Sequence, residues 1–200
     1  VVKRLPALCA GGGRLLVHDR SLRQRRVENG YGNTVTLTVQ NRMAPEIMAL
    51  CNRLVYASDD TRLVCGPHAP TRGTVEVIHL PQGREEADGS SFRNRAEVEA
   101  VLAIPDLAAD AVLLCPYAAQ CKLLLSKGTS RPVHTIDSFQ GHEADTVVLT
   151  MVRDGSSGLG FWSDLRRVNV ALTRARTRLV LIVSNADGWK SHPLHEVIGS

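Results

Sequence analysis

The stretch VHTIDSFQGHEADTVVLT, residues 133–150, sets Asp137, Gln140, Gly141 and Glu143 between two apolar runs. A second segment, NVALTRARTR, begins at residue 169 and repeats arginine at Arg174, Arg176 and Arg178. Glycine supplies backbone freedom that a residue with a Cβ lacks. Carboxylates accept hydrogen bonds from hydroxyls or a metal-bound water, the Gln140 amide both donates and accepts, and guanidinium groups fork onto phosphate oxygens. Together these groups make half of a nucleotide site. The other half is missing, because no G-x-x-x-x-G-K-[ST] phosphate loop occurs anywhere in the 200 residues. CAGGGRLL (9–16) is glycine-rich but lacks the Lys-Ser/Thr that would hold phosphate and magnesium, and no acidic strand suited to a metal stands out.

The length favours one domain with a full hydrophobic core. Hydrophobic residues make up 44% of the chain, and no apolar run approaches the ~20 residues of a membrane-spanning helix. The amino terminus makes a poor signal peptide, and the absence of an initiator Met fits a fragment of a longer protein. Five cysteines without a CxxC pair argue against a zinc cluster or disulfide scaffold and fit an intracellular, reducing compartment, cytoplasm or nucleus. The net charge of +4 is carried mostly by arginine, concentrated in RSLRQRR (20–26) and RRVNVALTRARTR (166–178). That balance suits a nucleic acid or nucleotide partner, or alternatively a solvated helix face. HPLH (192–195) has a spacing open to a metal but reads as a surface helix end. Cys51 reads as core packing.

The elements that must position these groups alternate along the chain. TVTLTV (34–39) alternates Val35, Leu37 and Val39 as a strand with one buried face. APEIMALCNRLVYAS follows at helical spacing, with Pro45 suited to the first turn. GTVEVIHL (73–80) reads as a strand and PQGREEADGSSFR (81–93) as an exposed, mobile loop. NRAEVEAVLAI turns Val98, Val101 and Leu102 to one helical face, and AVLLCPY (111–117) is an apolar run typical of a strand covered on both sides. A helix over AAQCKLLLSK, strands over VHTI and DTVVLTMV, a helix over DLRRVNVALTRA and a last strand over RLVLIVS complete the alternation. The expected fold is an α/β three-layer sandwich with a largely parallel central sheet. In such sheets ligands gather at the carboxyl ends of strands, where the loops after VHTI and after TVTLTV are expected.

TVQNRMAPEI, LLCPYAAQ, HTIDSFQGHEADTVVLT and RRVNVALTRAR, in that order, resemble the second RecA-like domain of superfamily 1 helicases. The similarity is to the branch that holds the nonsense-mediated-decay RNA helicase and the immunoglobulin-μ-binding helicase. It implies a RecA-like C-terminal domain at 31–200 and a lead-in at 1–30 from an upstream RecA-like domain of the same polypeptide. It also implies ATP with Mg²⁺ in the cleft between the domains, the metal held mainly by the upstream one, and 5′→3′ movement on single-stranded RNA or DNA. Arg174 matches the family's arginine finger and Arg42 a second γ-phosphate arginine. Gln140, Gly141 and Glu143 match nucleotide contacts, Glu143 towards the ribose or the triphosphate end. Thr135, Ser138, Cys115, Pro116 and Tyr117 fall where the family meets the nucleic-acid strand. Cys115 replaces a threonine of the family pattern and Asn41 a tyrosine, and both departures bear on nucleic-acid affinity rather than on ATP contact.

Three readings remain open from sequence. One is the motor half of an ATP-dependent helicase, inactive by itself without a phosphate loop, with a positive-strand RNA virus replication helicase as a close variant. Another is a degenerate RecA-like module that binds RNA or protein without ATPase activity. The last is a generic α/β domain with chance matches.

Overall fold

Five runs rich in aliphatic and β-branched residues form one all-parallel sheet. They are β3 (Thr74–Leu80), β6 (Val112–Cys115), β7 (Val133–Thr135), β8 (Ala144–Thr150) and β9 (Ala175–Ser184). Their order across the sheet is β3-β9-β8-β6-β7, with every neighbouring pair parallel. The computed structural model describes residues 37–56 and 61–198. The chain divides into two compact units, Val1–Thr38 and Val39–Ser200, and the elements here belong to the second. The expected lead-in at 1–30 and Val35 lie outside the described residues.

Helices cover both faces, as parallel sheets require. On one side α1 (Pro45–Leu54) and α4 (Leu165–Leu172) pack Ile47, Leu50, Val168 and Leu172 against Val147, Leu149, Leu179 and Leu181. On the other, α2 (Arg95–Ala103) and α3 (Ala118–Ser126) pack Val98, Val101 and Leu124 against Leu113, Val148, Val180 and Ile182. All four residues of β6 are buried, the three-layer sandwich expected of AVLLC. Pro45 opens α1, where its missing N–H costs nothing. Asn94 caps α2 by accepting the Glu97 N–H, and Asp164 caps α4 by accepting that of Arg166. Leu102, expected on the buried face of α2, is exposed. A short helix, α5 (His195–Ile198), ends the described chain.

Four expectations need correction. The alternating run at 34–39 does not join the main sheet: Val39–Gln40 (β1) pairs with Val64–Cys65 (β2) in a separate two-stranded ribbon. Val39 is exposed in that ribbon, as is Leu37 before it. Residues 81–93 are not a mobile loop but carry an antiparallel hairpin of β4 (Glu86–Asp88) and β5 (Ser91–Arg93). It is anchored by a buried ion pair 3.0 Å long between Glu85 and Arg153. HPLH is not a surface helix end, since His192 is buried with Nε2 2.9 Å from the Trp162 carbonyl oxygen. Finally, the helix over DLRRVNVALTRA stops at Leu172, and Ala175 already begins β9.

A polar network crosses the apolar interior at the carboxyl ends of β8 and β9. Glu97, fully buried on α2, accepts the Val152 amide at 2.8 Å and the Ser184 hydroxyl at 2.9 Å. No ion pair reaches it among the described residues. Burial pushes its carboxyl up to about 8, against the hydrogen bonds from Val152 and Ser184 that favour the ionised form. Folded Glu97 therefore keeps its proton over a range in which an unfolded glutamate, near 4.5, has lost it. Its contribution to stability is greatest below that lower value, declines as pH rises towards 8, and is constant above. Urea unfolding at several pH values between 5 and 8 should show Glu97→Gln losing less stability with rising pH than the parent. Parallel declines in the two proteins would assign the titration to another group.

Candidate functional site

The loop between β7 and β8 leaves the carboxyl edge of the sheet at Thr135 and returns to the amino edge at Glu143. It therefore splits the sequence-predicted residues between two edges. Gly141 and Glu143 sit just before the first residue of β8, and Arg174 just before the first residue of β9. The segment after β1 reaches the same place, since the Ala44 amide donates to the Arg176 carbonyl oxygen at 2.8 Å. The nucleotide candidates thus lie at the amino ends of β8 and β9, not at the carboxyl ends where both loops were expected. The general rule concerns loops that follow strands, whereas here the loop residues that matter are those that precede one.

Thr173, the residue that ends α4, organises this edge. Its carbonyl oxygen accepts from Arg42 Nη1 at 3.3 Å, and its hydroxyl accepts from Arg174 Nη2 at 3.2 Å. Arg174 also donates through Nε to the Val170 carbonyl at 2.8 Å and through Nη1 to the His142 carbonyl at 2.9 Å. It is only 7% exposed, so its charge is oriented by neutral dipoles rather than consumed by a carboxylate. Burial first, and the neighbouring Arg42 charge second, pull its pKa below the ordinary arginine value, with Glu143 acting the other way. It stays protonated at neutral pH regardless.

Glu143 faces the cluster from the other side. Its Oε2 lies 2.6 Å from Arg42 Nε and its Oε1 lies 3.7 Å from Arg176 Nε. Arg176 also reaches Asp145 at 3.3 Å. With side chains a third or more exposed, these pairs contribute little to stability and can exchange partners easily. Beside them opens a cleft of about 450 Å³ lined by Asp110, His134, Phe139, His142, Asp145 and Arg176, among others. Gln140 is exposed on the loop. Gly141 has φ +93°, a left-handed backbone, with nothing within 4 Å of where a Cβ would stand. Its requirement is conformational, not steric.

The carboxyl edge holds the remaining candidates. Thr135 and Ser138 bond each other locally: the Ser138 amide donates to Thr135 Oγ1 at 3.2 Å, and the Ser138 hydroxyl donates to the Thr135 carbonyl at 2.9 Å. Pro116 and Tyr117 are half-buried. Tyr117 Oη accepts the Phe161 amide at 3.1 Å, and its ring meets Phe92 edge-on at 5.4 Å. Cys115 does not belong on this surface. It is fully buried beside Cys121, and burial first raises its thiol pKa well above the ordinary value. Both faces of β6 are covered, so its side chain is enclosed and presents nothing to a strand.

Sequence reasoning missed Thr173 as the shared acceptor and Arg176 as the partner of Glu143. A signal was present, since arginines at 174, 176 and 178 have the two-residue period of a strand, not a helix. Arg178 bonds Glu76 through both Nε (2.8 Å) and Nη2 (2.9 Å), linking β9 to β3.

A family model described as an AAA domain matches residues 18–186, most of the chain. This is a C-terminal helicase domain of the superfamily 1 type. The helicase domain is 32% identical over 209 residues to the mouse (Mus musculus) "DNA-binding protein SMUBP-2", covering 90% of this chain and 21% of that protein. It is 31% identical over 208 residues to "Regulator of nonsense transcripts 1" of Dictyostelium discoideum, covering 88% and 15%. It is 30% identical over 174 residues to the "DNA replication ATP-dependent helicase/nuclease DNA2" of Gallus gallus, covering 79% and 17%. The chain thus spans about a fifth or less of the length of these curated relatives. Among the described residues no helix is long and apolar enough to cross a membrane.

Because space around Gly141 is open, Gly141→Ala tests the backbone alone. It should lower unfolding free energy by ~1 kcal/mol, read from the urea midpoint at unchanged slope. An unchanged midpoint would show that the left-handed turn is dispensable.

Proposed function

We propose that this domain is the C-terminal motor half of an ATP-dependent nucleic-acid helicase. Its amino edge supplies arginines to a nucleoside triphosphate gripped chiefly by an upstream RecA-like domain. One observation supports this most: Arg42 and Arg174, 132 positions apart in sequence, both bond Thr173. Two guanidinium groups held side by side repel each other, and such a pair is stable only where anionic groups complement it. Glu143 does so for Arg42, while Arg174 has neutral carbonyls and a hydroxyl. The donor set suits phosphate oxygens, each guanidinium offering a planar fork.

On this reading ATP supplies the transferable γ-phosphoryl group, and its Mg²⁺ is held mainly by the upstream domain. The chain's own residues orient and neutralise. Arg174 meets the charge that develops on the equatorial oxygens, and its three fixed acceptors keep it aimed without reorganisation. Arg42 exchanges its contact with Glu143 for a γ-phosphate oxygen. The released Glu143 carboxylate is then available to a ribose hydroxyl. Gln140 and Gly141 let the loop approach the nucleotide. The carboxyl edge, with Thr135, Ser138, Pro116 and Tyr117, grips single-stranded RNA or DNA; Cys115 is left out because it is buried. Domain closure and reopening with each cycle then convert grip into stepping.

In the complete protein, Arg174→Ala should reduce nucleic-acid-stimulated ATP turnover by about 10³-fold. Binding of a fluorescent triphosphate analogue should persist with a modest loss. Unchanged turnover would remove the finger role and favour a binding module that uses no ATP.

A further inference from the structure

We propose that Glu97 is a positioning residue for the nucleic-acid-binding edge, acting through the backbone of Val152 on Arg153 and Tyr117. The inference rests on the reading of that edge given above. It begins with an unusual conformation. Val152 has φ +67°, and the Arg153 amide donates to the Met151 carbonyl at 2.7 Å, closing a three-residue turn around it. A β-branched residue in the left-handed region is strained and persists only where its surroundings impose it. Here they do so through both backbone polar groups of Val152. The Val152 amide donates to Glu97 Oε2 at 2.8 Å, and its carbonyl accepts from Asn94 Nδ2 at 3.2 Å.

The same network fixes its own members. Asn94 Nδ2 also donates to Ser184 Oγ at 2.9 Å, and that hydroxyl donates to Glu97 Oε1 at 2.9 Å. The Asn94 amide donates to Gln120 Oε1 at 2.8 Å, and Gln120 Nε2 returns a bond to the Asn94 carbonyl at 3.2 Å. Gln120 belongs to α3, whose N-cap is Tyr117. Asn94, Glu97, Gln120 and Ser184 are all inaccessible. A buried carboxyl group costs stability even when it keeps its proton, so hydrophobic packing alone gives no reason for glutamate at this position.

What the strained turn achieves is the placement of Arg153. Its Nη2 donates to the carbonyls of Ser157 at 2.8 Å and Gly158 at 2.7 Å, shaping the loop that leads to Phe161. Its guanidinium carbon sits 4.0 Å above the Phe92 ring, and Nε lies 3.0 Å from Glu85. That last contact is ionic only, since its geometry does not align a hydrogen bond. The loop then returns to Tyr117, whose Oη takes the Phe161 amide. Gly160, with φ +53°, passes so close that a Cβ there would stand 2.5 Å from Tyr117 Oη and 3.3 Å from Arg153 Nη1. Phe92 lies between, touching both Arg153 and Tyr117. A turn held by Glu97 therefore sets where a residue of the nucleic-acid edge stands.

The test uses the complete protein and a labelled single-stranded oligonucleotide, with binding of a non-hydrolysable triphosphate analogue measured in parallel. At a pH above the Glu97 titration, where both of its oxygens accept, Glu97→Gln replaces one acceptor oxygen by a donor and leaves either the Val152 amide or the Ser184 hydroxyl unmatched. Oligonucleotide binding should weaken about tenfold, while triphosphate affinity stays unchanged. Adding Val152→Gly, which reaches a left-handed backbone without help, should restore most of the loss. If Glu97→Gln does not fold, Ser184→Ala gives the same readout with a smaller effect of about threefold. Unchanged oligonucleotide binding, an equal loss at both ligands, or failure of Val152→Gly to rescue would each overturn the proposal. Tyr117→Ala separates the two levels. If it leaves oligonucleotide binding intact, the edge itself is misassigned and the inference falls with it. If it weakens binding while Glu97→Gln does not, only the role of Glu97 falls.

Discussion

The amide of Ala144 donates to the Arg174 carbonyl at 3.0 Å, and the amide of Ala44 donates to the Arg176 carbonyl at 2.8 Å. These bonds tie three distant parts of the chain to the first residues of β9. Glu143 arrives because it precedes Ala144, and Arg42 because it lies two residues before Ala44. Thr173 and Arg174 are already there, at the end of α4. A buried strand leaves its amide and carbonyl groups no solvent alternative, so the register of β9 is not negotiable. The charged cluster is in this sense a by-product of backbone pairing, and its side chains only refine the geometry.

Two edges with different construction follow from that arrangement. At the amino edge Arg42, Glu143 and Arg176 are partly exposed, and the ion pairs of Glu143 with the two arginines are easily exchanged. At the carboxyl edge, behind Tyr117, Asn94, Glu97, Gln120 and Ser184 are buried and hydrogen-bonded to one another, and the backbone at Val152 is strained. An exchangeable edge suits a ligand that comes and goes with every cycle. A rigid edge suits a surface that must keep its shape while it grips. Buried networks are costly when half satisfied, which explains why Asn94, Gln120, Ser184 and Glu97 interlock so fully.

Much of this was legible in the sequence. The apolar runs at 111–115, 144–150 and 178–184 become strands because only a two-sided covered sheet buries such aliphatic stretches, while 73–80 forms a partly exposed edge strand. The order of motifs identified the family because each is a loop or junction whose chemistry is local. What failed depended on partners far away in sequence. The alternation in TVTLTV resembles that of a half-buried strand, yet Leu37 and Val39 are exposed. The polar composition of 81–93 concealed Glu85, whose partner Arg153 is 68 residues distant. Thr-Arg-Ala-Arg continues a helix comfortably by propensity, but the sheet claims Ala175 onward. Glu143 stands on the amino edge because β7 and β8 run parallel, so the loop between them must cross from one edge of the sheet to the other.

Strand β8 separates the two edges, with Glu143 immediately before it and Val152 two residues beyond it. Its seven residues span roughly 23 Å. Val147, Val148 and Leu149 are wholly enclosed and hydrogen-bonded to neighbours on both sides. Such a rod neither stretches nor bends at a cost thermal energy can meet. Whatever happens at one of its tips reaches the other as a tilt or translation of the entire lobe. Any mechanical coupling along β8 is therefore that of a lever, with the compliance located outside the strand.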